Sequence, residues 1–311
     1  SFCIPIMIPL YTSTFSPLIK PKMQIKRNFL PGDHWLYLKI YTGVKTADLI
    51  LQEVIEPLTT LFFQERKCNN WFFIRYRDHA SHIRLRIALH SPDDYHYILH
   101  KLTSGMEKYV NSGEISTIVN DTYSREIERY GKTTIFYAEQ LFHHSSLLTL
   151  QFLWADDEEK LMVMLFYIDQ LLAKINLPIS QKLLWIKDYN QYFKEEFGAD
   201  KKLNQQLDKK YRVFSPKFFE FSQSSEFIET RELILNNIAL SKDSLQNIVG
   251  EYENSSELKL MQTFFQSIFH MAINRLFISE QRLFEMVIYD YLHRYYKTLH
   301  YKQIVINLAN K

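Results

Sequence analysis

The feature that most constrains this chain is a change of hydrophobic period near residue 130. Before it, short apolar runs alternate every second residue. After it, apolar residues recur every three or four positions almost to the end. In HWLYLKIYT (34–42), Trp35, Tyr37, Lys39 and Tyr41 alternate with Leu36, Leu38 and Ile40, as in a strand. WFFIRYR (71–77) and HIRLRIAL (82–89) flank Asp78, His79, Ala80 and Ser81, which predicts a hairpin with a four-residue connection. A helix is predicted from Thr46 or Asp48 to Glu56, with Pro57 as its stop. From Thr133 the helical period predicts helices over about 133–150, from the acidic cluster Asp156–Glu159, over 180–198, and over about 200–212, 226–238, 242–253, 256–276 and 279–300. The fold class is therefore α+β: a small antiparallel sheet followed by a mostly helical remainder.

Composition narrows the function classes. Twenty Tyr, 23 Phe and 4 Trp against 7 Gly in 311 residues give an aromatic, glycine-poor chain able to bury a sizeable core, which excludes disordered and collagen-like classes. Thirty-seven basic against 35 acidic residues leave +2, so no broadly basic surface for nucleic acid or membrane exists. Cys3 and Cys68 make neither a disulfide framework nor a cysteine-based zinc site. Phosphate-cradling, dinucleotide, zinc-protease and nucleophile-elbow motifs are absent, and the adjacent His143 and His144 diverge on a helix. Residues 1–33 are Pro-rich and read as a linker from an upstream domain; SFCIPIMIPL lacks the basic start of a signal peptide.

Charge concentrates in three places. Period two puts His82, Arg84 and Arg86 on one face of their strand and Arg75 with Arg77 on one face of its partner. With a four-residue connection these four arginines form one cationic ridge, suited to carboxylate or phosphate held bidentately, or simply to solvent. TYSREIERYG (122–131) packs Arg125, Glu126, Glu128 and Arg129 into five residues and by itself reads as a solvated turn. In FFQSIFHMAINRLF (264–277), His270 and Asn274 share a helical face in an apolar surround, where a histidine is more often a satisfied core residue than a catalyst.

FFIRYRDHASHIRLRIAL, TYSREIERYG and FHMAINRLF together resemble, in order and spacing, the C-terminal domain of class I lanthipeptide dehydratases, a family that also includes stand-alone thiopeptide-type bacteriocin biosynthesis proteins. The resemblance covers about residues 30–305. It implies that residues 1–28 are a linker or remnant of an upstream glutamylating domain, and that 29–311 form a glutamate-elimination domain. Lys132 and His144-Ser145 depart from the pattern.

The implied activity is β-elimination of glutamate from glutamylated Ser or Thr of a precursor peptide, leaving dehydroalanine or dehydrobutyrine. Arg86, Glu126, Arg129 and His270 are the implied catalytic set, with Arg84, Arg75 and Asn274 as substrate-binding residues and no metal or cofactor. Arg86 is expected to face the developing enolate or the ester, Arg84 and Arg129 the glutamate carboxylates, Glu126 an arginine; His270 is expected to move a proton. The implied partners are the peptide, a glutamylating domain in the same chain or a separate protein, a second copy of the chain, and a biosynthetic complex with a cyclase and a transporter. No direct nucleic-acid contact is implied, and the setting is cytoplasmic, with membrane association through that complex. The alternatives are a pyridine-forming cycloaddition enzyme of thiopeptide type, which typically lacks the set, and a non-catalytic peptide-binding module.

Overall fold

The computed structural model describes residues 25–254 and 258–309. The alternating runs form β2 (Trp35–Thr42), β3 (Cys68–Arg77) and β4 (Ser81–Leu89), joined by β5 (Ile115–Asn120) in an antiparallel sheet of order β3-β4-β2-β5. A second ribbon pairs β1 (Asn28–Phe29) with β6 (Tyr123–Ser124). Residues 1–24 lie outside the described residues, so the expected upstream remnant is met only at its end. There Ile25 packs on the core, Arg27 pairs with Glu128 at 2.5 Å, and Asn28 is already in the β1 ribbon.

The sheet has two covered faces. Leu36, Leu38, Ile40, Trp71, Phe73, Ile83, Leu85 and Ile87 pack in one core with residues of the helical stretch 44–64 and of α3 (Tyr95–Asn111). Pro57 does not stop the first of these helices. Between α1 (Val44–Ile50) and α2 (Glu56–Gln64) the chain makes a π-helical turn, Leu51–Ile55, and Pro57 falls in the first turn of α2. A widened turn relieves the clash of the ring with the preceding turn, and a first-turn position needs no N–H.

The register corrects the four-arginine ridge. Arg77 pairs with Ser81, so the hairpin connection has three residues rather than four. That one-residue difference inverts the parity of the strands: Arg75 lies opposite Ile83, while Arg84 and Arg86 lie opposite Ile74 and Phe72. Arg84 and Arg86 therefore share a face with Lys39, Tyr37 and Phe72, and Arg75 and Arg77 belong to the other face. Arg75 is buried there, its guanidinium 2.5 Å from Asp48 and its Nε donating to the carbonyl of Arg275. Arg75, expected to bind substrate, is thus engaged in a buried ion pair on the face away from Arg84 and Arg86.

The helical half comprises α4 (Ile127–Tyr130), α5 (Ile135–Gln151), α6 (Asp157–Lys174), α7 (Ile179–Glu196), α8 (Lys201–Gln223), α9 (Ile228–Leu240), α10 (Lys242–Asn254), α11 (Leu258–Leu276) and α12 (Gln281–Ala309). Asp156 caps α6 by accepting from the Glu159 N–H at 2.8 Å, and Gly198 ends α7 at φ +56°. α8 outruns its expected end at 212 because Phe214, Phe218 and Phe221 continue its buried face past Pro216.

Sheet and helices meet along the outer edge of β3, where no strand follows. Residues 71, 73 and 75 turn their backbone groups outward, and side chains of α5 and α11 take the place of a neighbouring strand. His143 donates to the Trp71 carbonyl at 2.8 Å, Ser146 Oγ accepts from the Phe73 N–H at 3.3 Å, and Arg275 Nε donates to the Phe73 carbonyl at 2.7 Å. Asn274 does both at once: its Oδ1 accepts from the Arg75 N–H and its Nδ2 donates to the Arg75 carbonyl, each at 2.9 Å. Both polar groups of the Asn274 amide, expected to bind substrate, are thus engaged by the backbone of β3.

Two outcomes follow. Asn274→Ala leaves a donor and an acceptor unmet and lowers the unfolding free energy by about 2 kcal/mol, read from urea melts. Burial pushes the imidazoles of His143 and His144 down to about 4 and about 3 from 6.5, so both stay neutral in the fold while the unfolded chain protonates. Their contribution is complete above about pH 6.5 and is lost as pH falls towards about 4 for His143 and about 3 for His144. His143→Gln should therefore flatten the fall of unfolding free energy over that window; an unchanged slope would refute the assignment.

Candidate functional site

The charged residues singled out in the sequence occupy two neighbouring places. The first is the face of the sheet carrying Arg84 and Arg86. Cross-strand pairing sets Tyr37 and Phe72 on either side of Arg86, and Tyr123 of β6 closes over it. The guanidinium carbon lies 4.5, 5.4 and 5.1 Å from the centroids of Tyr37, Phe72 and Tyr123. Arg86 is 9% exposed, its Nε is buried without a hydrogen-bond partner, and among the described residues it enters no ion pair. Arg84 stacks on Tyr76 at 3.4 Å, and its Nε donates to His82 Nε2 at 3.1 Å. His82 can accept because its Nδ1 donates to the Ala80 carbonyl, and burial lowers its pKa, favouring the neutral ring. Lys39, opposite Arg84, is held 2.5 Å from Asp121.

Behind Arg86 lies a satisfied buried pair. Arg125 grips Glu139 through Nε and Nη2, both at 2.7 Å, and the Tyr123 hydroxyl donates to the same carboxylate at 2.8 Å. Burial raises the Glu139 pKa, with Arg125 pulling against it. Of the segment at 125–129, Arg125 is thus the residue turned inward. Glu126 and Arg129 stay exposed and pair with each other at 3.2 Å.

The second place is a groove of about 1160 Å³ bordered by α4, α7, α10, α11 and α12. Arg129 and His270 both line it, so the structure brings these two expected residues together; Arg84, Arg86 and Glu126 are not in its lining. Tyr130 and Phe142 stand between the groove and the sheet. The Tyr130 ring packs against Phe264 of the groove wall at 6.0 Å and against Phe142 at 5.1 Å, and Phe142 packs on Phe72 at 5.2 Å. Arg275 sits fully buried in this wall, 4.9 Å from the Phe142 ring and 6.0 Å from that of Phe72. Desolvation lowers its pKa to about 9, with the charge of Arg86 acting in the same sense.

His270 is the imidazole in the groove lining, and its side chain is 29% exposed. Its Nδ1 lies 2.8 Å from Oε2 of Glu285, a carboxylate 1% exposed at the start of α12. Arg282 Nη1 donates to that same oxygen at 3.0 Å, and the Tyr289 hydroxyl donates to Oε1 at 3.1 Å. Arg282 is in turn held by Glu196 of α7 and lies 4.3 Å over the Phe193 ring.

Sequence reasoning passed over Arg125, Glu139, Arg275 and Glu285. Arg125 and Arg275 stood inside the quoted motifs, next to Glu126 and Asn274. Glu139 and Glu285 carry no local signal, because each is defined by a partner brought to it by a turn of the chain.

Several known proteins are similar to this chain. The subtilin biosynthesis protein SpaB of Bacillus subtilis is 23% identical over 265 residues, which are 82% of this chain and 25% of the relative. The nisin biosynthesis protein NisB of Lactococcus lactis subsp. lactis is 25% identical over 288 residues, 89% of this chain and 27% of the relative. The chain thus spans about a quarter of the length of these relatives. Among solved structures, the tRNA-dependent lantibiotic dehydratase MibB from Microbispora sp. 107891 superposes with a TM-score of 0.66 at 15% identity, covering 92% of this chain and 29% of that one. TsrL superposes with a TM-score of 0.61 at 14% identity, covering 84% and 93%. These two likenesses show a shared fold. The lantibiotic biosynthesis dehydratase C-terminal family matches residues 35–296, most of the sheet and nearly all of the helical half, and the chain belongs to that family.

Proposed function

We propose that this domain performs the elimination half of dehydration in lantibiotic biosynthesis, releasing glutamate from glutamylated Ser or Thr of a precursor peptide to leave dehydroalanine or dehydrobutyrine. The observation that carries this reading is Arg86. Buried Arg75 and half-buried Arg125 each grip a carboxylate, and Arg275 holds a backbone carbonyl and Ser145, whereas Arg86 rests among three rings and, among the described residues, enters no ion pair, feeling Glu139 only through its charge. Burying a guanidinium without a counter-ion is costly unless a ligand supplies one.

The chemistry suits the residues. Elimination removes the Cα proton and expels a carboxylate from Cβ, so charge builds on the neighbouring peptide carbonyl and on the departing glutamate. Arg86 stabilises the developing enolate or the ester oxygen, the forked donors of a guanidinium being suited to oxygen charge. Arg84 and Arg129 take the glutamate carboxylates, Glu126 orients Arg129 through its 3.2 Å ion pair, and His270 moves the proton. Arg75 and Asn274 have no part in this scheme beyond holding β3 in place. Among the described residues no helix is long and apolar enough to cross a membrane. The reading places the domain in the cytoplasm beside a glutamylating domain, in the same chain or another, with cyclase and transporter as further members of a complex.

Incubating the chain with a peptide bearing glutamylated serine and following its mass tests the reading. Loss of glutamate is the expected result; an unchanged mass with tight binding would make it a binding module, and ring closure of an already dehydrated peptide a cycloaddition enzyme. Arg86→Lys should slow release by about 10²–10³-fold, because an ammonium does not reproduce the fork. Arg77→Gln, on the opposite face and exposed, should leave the rate within about twofold.

A further inference from the structure

We propose that Glu285 is the positioning residue of His270: it fixes the ring as the Nδ1–H tautomer and leaves Nε2 with its lone pair towards the groove, so that His270 acts as the base. This rests on the elimination reading for the identity of the substrate, but the tautomer is a property of the protein alone.

The geometry is specific. The turn 277–280, with Glu280 at φ +53° and Phe277 stacked on Phe284 at 4.0 Å, folds α12 back along α11. The fold-back sets Glu285 beside His270 although fifteen residues separate them. Glu285 receives Arg282 at Oε2 and Tyr289 at Oε1, and His270 Nδ1 lies at the same Oε2. Oε2 already receives the Arg282 guanidinium, and a carboxylate oxygen in such a pair accepts rather than donates. Nδ1 of His270 must then be the donor, which in the neutral ring makes Nε2 the acceptor. No hydrogen bond engages Nε2 among the described residues, while the ring lines the groove. Glu285 borders the groove but is only 1% exposed and is engaged by its donors, so its influence passes through the imidazole.

In the step, the Nε2 lone pair takes the Cα proton, the C–H electron pair becomes the Cα=Cβ bond, and the Cβ–O bond breaks with its pair leaving on glutamate. The imidazolium so formed faces the Glu285 carboxylate, which stabilises it, and the proton is later passed to solvent. Without the Glu285 carboxylate the ring would be free to carry its proton on Nε2 and present no base to the groove.

Nitrogen-15 NMR of histidine-labelled protein, with the His270 signal identified by its loss in His270→Asn, reads the tautomer directly. A neutral ring protonated at Nδ1 is expected; protonation at Nε2 in the unsubstituted protein overturns the proposal. In Glu285→Gln the ring should become a mixture of tautomers. With the glutamylated peptide, kcat should fall by about 10²-fold at unchanged KM, and Glu285→Asp should recover part of the loss. Unaltered tautomer and kcat in a folded Glu285→Gln protein overturn the proposal. If that variant does not fold, the tautomer of the unsubstituted protein and the kcat of Glu285→Asp decide. Should the unsubstituted protein release no glutamate while showing the Nδ1–H tautomer, the elimination reading fails and the role of Glu285 in setting the ring stands.

Discussion

The fold depends on how the outer edge of β3 is closed. A strand at the edge of a sheet presents unpaired N–H and C=O groups that must be met by something. Here His143, Ser146, Asn274 and Arg275 meet them with side chains from two helices. One row of hydrogen bonds thereby fixes the height and rotation of α5 and α11 against the sheet. Because His270 lies one turn before Asn274 on α11, the docking that completes the strand also places the groove's imidazole. The same docking brings α4 and its Arg129 to the groove, since Tyr130 packs between Phe142 of α5 and Phe264 of α11.

The architecture was legible from the sequence because periodicity is a local property. Trp35 to Tyr41, the two runs around residue 80 and the helical stretches after Thr133 each state their own conformation. The relation between elements was less accessible. Whether Arg75 joins Arg84 and Arg86 turns on a single residue in the hairpin connection, and nothing in either strand reports that count. Pairing of Arg77 with Ser81 sends Arg75 to Asp48 and leaves Arg86 among rings, so one register choice separates a structural cation from an unpaired one.

The site was legible in part for the same reason. His270 and Asn274 were found together by helical spacing, but spacing could not tell a ring turned to a groove from an amide turned to a backbone. The charged run at 125–129 offered Glu126 and Arg129 as candidates, and only packing shows that their neighbour Arg125 is drawn inward, to Glu139. Glu285 was out of reach altogether, because its significance comes from the turn at 277–280 that lays α12 along α11.

The aromatic cage of Arg86 has a kinetic consequence. A guanidinium already holding a carboxylate must break that pair before it accepts another, so its binding rate is gated by an internal dissociation. Arg86 is held by ring faces at 4.5–5.4 Å, which orient the fork without occupying its N–H groups. A carboxylate that reached Arg86 would meet a fork already oriented by its rings, with no paired carboxylate to displace first.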